Sequence, residues 1–216
     1  MPNRLALPPL YVILDAALLP SDPVKLTGQL LEAGVRVLQY RNKTAPAREI
    51  LQISQSLAAD CLQRETLFIV NDRADIARLA GAGGVHLGQD DVDAAAARRI
   101  VGPAAVIGVS IHNLQQFQDA VHNDADYIAV GPIFPTASKR NPDPVVGIEF
   151  IKQVRALTQK PIVAIGGITL DRARDVIDAG ADSVAVISDI LKAKHPADRV
   201  KQFFDVLPSA ARSAGN

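Results

Sequence analysis

The sequence predicts an α/β fold, a single closed (β/α)8 TIM barrel, on three observations. Eight short apolar runs are spaced along the 216 residues, a helix-like stretch follows each run, and polar or glycine residues stand where the runs end. Apolar strands suit a parallel sheet covered on both faces, and eight strand and helix units suit a closed barrel with its chemistry at the C-terminal strand ends. The runs span residues 10–14, 35–38, 67–70, 84–87, 106–109, 127–130, 162–165 and 184–187.

The residues that follow the runs mark the helix boundaries and the polar segments. Ser21 and Asp22 before Pro23, and Thr44 before Pro46, mark helix starts, because serine, threonine and aspartate are favoured N-caps and proline fits the first turn. Glycines at 34, 81 and 180 mark helix ends, where the chain turns left-handed before the next strand. The polar segments behind the runs are, in chain order, Asp15; Gln39, Arg41 and Lys43; Asn71 and Asp72; Gln89 and Asp91; Ser110; residues 131–139; Gly166 and Gly167; and Ser188.

Composition narrows the class of protein. The chain is 48% hydrophobic, with formal net charge +0, so we expect one large core and no general attraction to nucleic acid or to a membrane surface. No run approaches the roughly 18 apolar residues of a membrane span, and no secretory signal precedes Pro8, so we expect a cytoplasmic protein. The sequence leaves a homo-oligomer open. We expect one domain over 1–216, with 1–9 as an N-terminal extension and 208–216 as a frayed tail.

A basic triplet follows the second run. Gln39, Arg41 and Lys43 alternate along an extended chain, so their side chains can share one pocket if the strand continues past Leu38. The Arg fork and the compact Lys charge together suit phosphate oxygens. The alternative is a solvated strand end that forms salt bridges with a neighbouring helix.

Acidic residues follow the next two runs. Asp72 and Asp91 stand at the ends of neighbouring strands and could converge on one cation, and Mg2+ favours one or two carboxylates with waters and substrate phosphates. We therefore predict a magnesium diphosphate site, with Asp90 as a weaker candidate. The alternative is that Asp72 and Asp91 cap the helices that follow.

A second candidate anion-binding site lies in the last quarter of the chain. Gly166 and Gly167 end the seventh run, and Ile187 and Ser188 end the eighth. In such barrels, these two loops commonly hold a monophosphate through backbone N–H groups, and glycine permits close approach. The alternative is that the glycines only serve a tight turn.

Other reactive side chains give weaker signals. We expect His86, inside an apolar run, to be a hydrogen-bonded core residue, and His112 to lie near the barrel mouth. Cys61, the one cysteine, is expected to be packed and inert. The irregular stretch 131–147 carries four prolines, and a loop of that length in a compact barrel is more often functional than idle.

Six ordered motifs resemble the thiamine phosphate synthase family. They are LQYRNK at 38–43, VNDR at 70–73, GVHLGQDD at 84–91, GVSIHN at 108–113, GPIFPTASK at 131–139 and AIGGI at 164–168. The resemblance extends from about Tyr11 to Leu191. It implies a transferase that joins hydroxymethylpyrimidine diphosphate to hydroxyethylthiazole phosphate, or to its carboxylated form, and releases diphosphate with the help of Mg2+.

The resemblance also implies roles for individual residues. Asp72 and Asp91 would bind Mg2+, and Arg41, Lys43, Ser110 and Lys139 would be catalytic. Ser138 departs from the threonine common in the family but keeps the hydroxyl, and Tyr40, between inward positions, should matter less. The implied substrate contacts are Gln39, Tyr40, Arg41, Asn42, Lys43, Asn71, Ser110 and Lys139 for the pyrimidine diphosphate, and Thr136, Ala137, Ser138, Gly167, Ile187 and Ser188 for the thiazole phosphate.

Two other functions compete with the synthase. A thiazole phosphate tautomerase of the same superfamily would need the monophosphate site and a base, but no diphosphate clamp, so Arg41, Lys43, Asp72 and Asp91 speak against it. A non-catalytic sensor of thiamine phosphate would keep the pocket and tolerate loss of the metal.

Overall fold

A closed ring of eight parallel strands forms the centre of the protein, as the computed structural model of residues 5–136 and 143–208 shows. Each strand pairs with its sequence neighbours, and β1 pairs with β8 to close the ring. The predicted TIM barrel is therefore confirmed. The strands are β1 Leu10–Asp15, β2 Val37–Arg41, β3 Leu67–Asn71, β4 Gly84–Leu87, β5 Val106–Ile111, β6 Tyr127–Val130, β7 Ile162–Ile165 and β8 Ser183–Val186.

Helices surround the ring and follow the strands in alternation. Asp22 caps α1, with its carboxylate accepting from the N–H groups of Val24 and Lys25 at 3.0 and 2.9 Å, as its position before Pro23 predicts. In the described residues the helices are α1 Pro23–Glu32, α2 Ala47–Gln63, α3 Ala74–Ala80, α4 Ala94–Val101, α5 Leu114–Val121, α6 Gly147–Leu157, α7 Leu170–Asp178, α8 Ser188–Leu191 and α9 Pro196–Val206. None of them combines the length and apolarity needed to cross a lipid bilayer.

Alternation along each strand separates two cores. Outward residues pack under the helices in the larger core, whereas inward residues such as Tyr11, Val37 and Tyr127 fill the barrel interior. Leu5 and Leu7 of the N-terminal extension pack against this inner cluster. Residues 209–216, most of the predicted frayed tail, lie outside the described residues.

The second strand differs from its apolar run. The run covers 35–38, but β2 begins at Val37 and continues through Arg41. Gln39 and Arg41 extend the strand because they pair in register with Ile13 and Asp15 of β1. The extended backbone past Leu38 confirms that Gln39 and Arg41 point to the same side, into the upper end of the barrel.

Candidate functional site

A cavity of about 480 Å³ opens at the C-terminal ends of the strands. This volume lies within the range of small-molecule sites. Gly131, Pro132, Thr136 and Asp143, from the described parts of the stretch 131–147, contribute to its wall. The predicted site residues that line the cavity are Gln39, Arg41, Lys43, Asn71, Asp72, Asp91, Ser110, Thr136, Gly167, Ile187 and Ser188.

The basic side chains at the end of β2 and just after it each have an acidic partner. The Arg41 guanidinium donates to the Asp15 carboxylate at 2.5 Å, and Asp15 is itself only 2% exposed. The Lys43 ammonium, which is half exposed, forms an ion pair with Asp72. Both cations therefore line the cavity and form ion pairs with residues at the ends of strands, not with a neighbouring helix.

Asp72 and Asp91 come together at one rim. The Asp91 carboxylate accepts from the Gly88 N–H at 2.7 Å, and its pKa is raised, first by burial and also by its hydrogen bond and charge contact with Asp72. Asp72 has a left-handed backbone with φ of 62°, a conformation uncommon outside glycine. Two carboxylates thus converge from neighbouring strands.

The helix-capping alternative for these carboxylates is wrong. Arg73 occupies the N-cap position of α3, without a side-chain cap hydrogen bond. Asp93, not Asp91, caps α4 through the Ala96 N–H at 2.7 Å. Asp72 and Asp91 are therefore available to a ligand at the rim.

The carboxylate pair fits a divalent cation. Two facing carboxylates repel each other, and the nearby Lys43 ammonium offsets only part of that charge. Among residues 5–136 and 143–208, no three His, Cys, Asp or Glu side chains gather as a metal cage. Mg2+ is commonly held by one or two carboxylates completed by waters and substrate phosphates, so the donor set suits that ion.

A buried histidine with two hydrogen bonds lines the cavity. His86 is 8% exposed and contacts the Tyr127 hydroxyl through Nδ1 and the Ser110 hydroxyl through Nε2, both at 2.9 Å. Burial lowers the pKa of His86 to about 4. The expectation of a hydrogen-bonded core histidine is confirmed, but His86 also lines the cavity, which its place in an apolar run does not indicate.

The loops of the second candidate anion-binding site lie opposite the carboxylates. β3 and β7 are opposite in the closed strand order, as are β4 and β8, so the loops behind β7 and β8 face Asp72 and Asp91 across the mouth. Gly166 and Gly167 have φ of 100° and 64°. A Cβ on Gly166 would lie 2.5 Å from Pro132, so this glycine also serves loop packing.

Two implied substrate contacts point elsewhere. Tyr40 is buried in the outer core, because it alternates with the inward positions of β2. The side-chain Oδ1 of Asn42 accepts from the N–H groups of Thr44 and Ala45 at 3.1 and 3.0 Å, which holds the turn before α2. Their side chains do not line the cavity. Ala137, Ser138 and Lys139 lie outside the described residues.

The structure adds residues to which sequence reasoning assigns no role. Asp15 pairs with Arg41, and its position at the end of the first run, in register with that arginine, is the signal that could have found it. His112 lines the mouth, as expected, and its Nδ1 contacts the Gly131 carbonyl at 2.5 Å. Its Nε2 lies 3.3 Å from the Asp143 carboxylate, so it ties two parts of the loop behind β6.

Comparison with known proteins identifies the family. The family model described as thiamine monophosphate synthase matches residues 10–190. The thiamine-phosphate synthase of Koribacter versatilis is 49% identical over 214 residues, which cover 97% of this chain and 100% of that protein. This chain belongs to the thiamine monophosphate synthase family.

Other members of the family agree in sequence and in fold. The thiamine-phosphate synthase of Chlorobium phaeovibrioides is 45% identical over 193 residues, 89% of this chain and 90% of that protein. The solved structure of thiamine phosphate pyrophosphorylase from Pyrococcus furiosus superposes with a TM-score of 0.84 at 34% identity, and it covers 92% of this chain and 94% of that one. The resemblance drawn from the six motifs is therefore confirmed.

Proposed function

We propose that this chain is a thiamine phosphate synthase, a transferase that joins hydroxymethylpyrimidine diphosphate to hydroxyethylthiazole phosphate or its carboxylated form. In this reaction the bond between the pyrimidine methylene and diphosphate breaks, and its electron pair stays on the leaving oxygen. The thiazole nitrogen lone pair then forms the new carbon–nitrogen bond. The products are thiamine phosphate and diphosphate.

One observation carries the proposal. The paired carboxylates and cations behind β2, β3 and β4 face the glycine-containing loops behind β7 and β8 across a single cavity. Two anionic groups can therefore be held at opposite walls, with the reacting atoms between them. Fixing both partners in one site removes much of the entropic barrier to a bimolecular step.

The diphosphate wall stabilises the leaving group. Arg41 presents a planar fork and Lys43 a compact charge, and both favour the negative charge that develops on the leaving oxygen. Asn71 and Ser110 line the same wall and can donate hydrogen bonds to phosphate oxygens. Lys139, implied by the motif GPIFPTASK, would add a further cation.

Asp72 and Asp91 would hold Mg2+ at this wall. Bound there with a diphosphate, the ion would neutralise charge on the leaving oxygens. Lys43, which pairs with Asp72 in the structure, would be free to turn to the phosphate once the carboxylate charge is matched by the ion.

The opposite wall would hold the acceptor. Backbone N–H groups of the Gly167 loop and of Ser188 are suited to a monophosphate, since such groups carry partial positive charge. Thr136 lies beside them at the mouth. Anchoring through the phosphate leaves the thiazole nitrogen free to approach the pyrimidine carbon.

The test is direct. The purified chain is mixed with both substrates and Mg2+, and diphosphate release is followed together with thiamine phosphate. We expect both products in equal amounts, and neither when one substrate is omitted. Isomerisation of a thiazole phosphate without pyrimidine diphosphate would support a tautomerase instead, and tight binding of thiamine phosphate without turnover would support a sensor.

The proposal also covers partners and location. We propose small-molecule substrates as the partners of this chain, with neither nucleic acid nor membrane among them, and a cytoplasmic location, in agreement with its neutral net charge. A homo-oligomer is compatible with the sequence and is tested by light scattering.

A further inference from the structure

Five side chains form a continuous hydrogen-bonded chain across the barrel interior, here called the interior chain. Gln39 Nε2 lies 2.7 Å from the Tyr11 hydroxyl, which lies 3.1 Å from the Tyr127 hydroxyl. Tyr127 lies 2.9 Å from His86 Nδ1, and His86 Nε2 lies 2.9 Å from the Ser110 hydroxyl. The interior chain begins at Gln39 and ends at Ser110, and both residues line the cavity.

The first link has only one possible direction. An amide nitrogen carries hydrogens and accepts none, so Gln39 donates to Tyr11. The Tyr11 oxygen is thus an acceptor on that side and has one hydroxyl hydrogen left to place. Tyr11 is 2% exposed, and a buried hydroxyl hydrogen without a partner is costly.

Only one arrangement leaves no hydroxyl or ring hydrogen of Tyr11, Tyr127 or His86 unpaired within the interior chain. Tyr11 donates to Tyr127, Tyr127 donates to His86 Nδ1, and His86 donates from Nε2 to Ser110. In the reverse arrangement Tyr127 donates to Tyr11, whose own hydrogen then has no acceptor among the residues that the structure describes. A doubly protonated His86 would force that reverse arrangement, because it could only donate to Tyr127.

We propose that the interior chain holds His86 in its Nε2–H tautomer and so makes Ser110 a hydrogen-bond donor to the bound substrate, with His86 and Tyr127 as positioning residues. The Ser110 oxygen accepts from His86, so its own hydrogen is directed into the cavity. This inference rests on the proposed function for the identity of the acceptor, which is a phosphate oxygen of the leaving group. The direction of the hydrogen bonds in the interior chain does not depend on which group accepts from Ser110.

The surroundings of His86 support a single neutral tautomer. Its ring stacks on the Tyr127 ring, with centroids 5.6 Å apart and planes at 20°. Gly108 on β5 makes room for this stack, because a Cβ at that position would lie 2.0 Å from Tyr127 Cζ. The packing holds the histidine and tyrosine rings in register, so the hydrogen bond between them is retained.

The first test reads the tautomer without any activity. The full chain is labelled with 15N-histidine, and the ring nitrogens of His86 are assigned by comparison with His86→Gln. We expect a protonated Nε2 and an unprotonated Nδ1. Tyr11→Phe should keep this pattern, because Tyr127 still donates to Nδ1, whereas Tyr127→Phe should change it. A protonated Nδ1 in the unaltered chain overturns the proposal.

The second test uses turnover. We expect Tyr127→Phe to lower kcat by about tenfold to 100-fold with little change in the KM for the thiazole phosphate, since only a donor to the leaving group is misdirected. In a Ser110→Ala background the same substitution should have little further effect. Fully additive losses would show that Tyr127 acts independently of Ser110 and would also overturn the proposal.

Controls separate this inference from folding and from the proposed function. Ser183→Ala removes another buried serine hydroxyl, one without a hydrogen-bond partner among the residues that the structure describes, and should leave kcat unchanged. Thermal unfolding of each variant shows that the fold is kept. If the unaltered chain releases no diphosphate, the proposed function fails, but the tautomer measurement still decides the direction of the interior chain.

Discussion

Asp15 and Arg41 are paired in strand register and also form an ion pair. They face each other at the end of the β1–β2 ladder, and the guanidinium donates to the carboxylate at 2.5 Å. The other carboxylate oxygen of Asp15 accepts from the Ala17 N–H at 3.0 Å, so the carboxylate is anchored to the chain. Asp15 therefore fixes where the Arg41 fork points.

We expect Asp15→Asn to lower kcat by about tenfold, because a small displacement of the guanidinium proposed to bind phosphate would have a large kinetic effect. Asparagine keeps the size and the bond to Ala17 but loses the charge that holds Arg41. The matched control is Asp178→Asn, which removes an exposed ion pair with Arg174 and should leave steady-state kinetics unchanged. Equal kinetics for Asp15→Asn and the unaltered chain would show that Arg41 orients itself.

The carboxylate pair predicts a metal-dependent defect. Asp72→Ala should lower turnover by more than about tenfold and raise the Mg2+ concentration needed for half-maximal rate, since one of the two proposed ligands is lost. The measurement is the initial rate of diphosphate release over a Mg2+ titration. Asp90→Ala changes the same charge beside the pair and should have a much smaller effect. Unchanged turnover of Asp72→Ala at saturating Mg2+ would rule out its role.

The barrel is predictable from the sequence because strand and helix periodicity is local. Arg41, Asp72 and Asp91 are predictable at one rim as well, since parallel strands end on the same side. The bounds of single strands are less predictable: the apolar run covers 35–38, but β2 begins at Val37 and ends at Arg41. Polar residues at inward positions end the apolar run, so hydrophobicity alone does not show that the strand continues through them.

The interior chain could not be read from the sequence. Alternation indicates that Tyr11 and Tyr127 face inward, but their hydroxyls meet only after eight strands close with one particular stagger. The glycine pair is a related case. Gly166 and Gly167 suggest an anion loop, and the structure adds that a Cβ on Gly167 would lie 2.5 Å from the Pro135 carbonyl oxygen. Such contacts join distant segments.

We expect the Asp72 and Asp91 pair to lower the stability of the metal-free protein. Without Mg2+ the Asp72 and Asp91 carboxylates repel each other, so Asp91→Asn should raise the Tm in EDTA by about 2–4 °C, the shift that about 1 kcal/mol causes in a chain of this size. Asparagine can still accept from the Gly88 N–H. Added Mg2+ should stabilise the unaltered chain more than the variant. A lower Tm for Asp91→Asn in EDTA would contradict the repulsion.

Cys61 should act as a silent thiol. It is 1% exposed on α2, and burial raises its pKa to about 12, so almost no thiolate forms at neutral pH. We expect Ellman's reagent to label it only as fast as the barrel opens, with labelling accelerated by urea. As a control, Leu62→Cys in a Cys61→Ala background places a thiol at an 81% exposed position and should react at once. Rapid labelling of native Cys61 would show that α2 detaches readily.

Two glycine substitutions should shift stability in opposite directions. Gly28 lies within α1, and apart from the backbone of its own helix no described residue approaches within 4 Å of an added Cβ, so Gly28→Ala should stabilise by about 0.5–1 kcal/mol through helix propensity. In Gly108→Ala the new methyl group would overlap the Tyr127 ring, so the free energy of unfolding should fall by about 1–3 kcal/mol. Urea denaturation of both variants measures the difference. Because the displaced ring belongs to the interior chain, Gly108→Ala should also lose kcat, whereas Gly28→Ala should keep it.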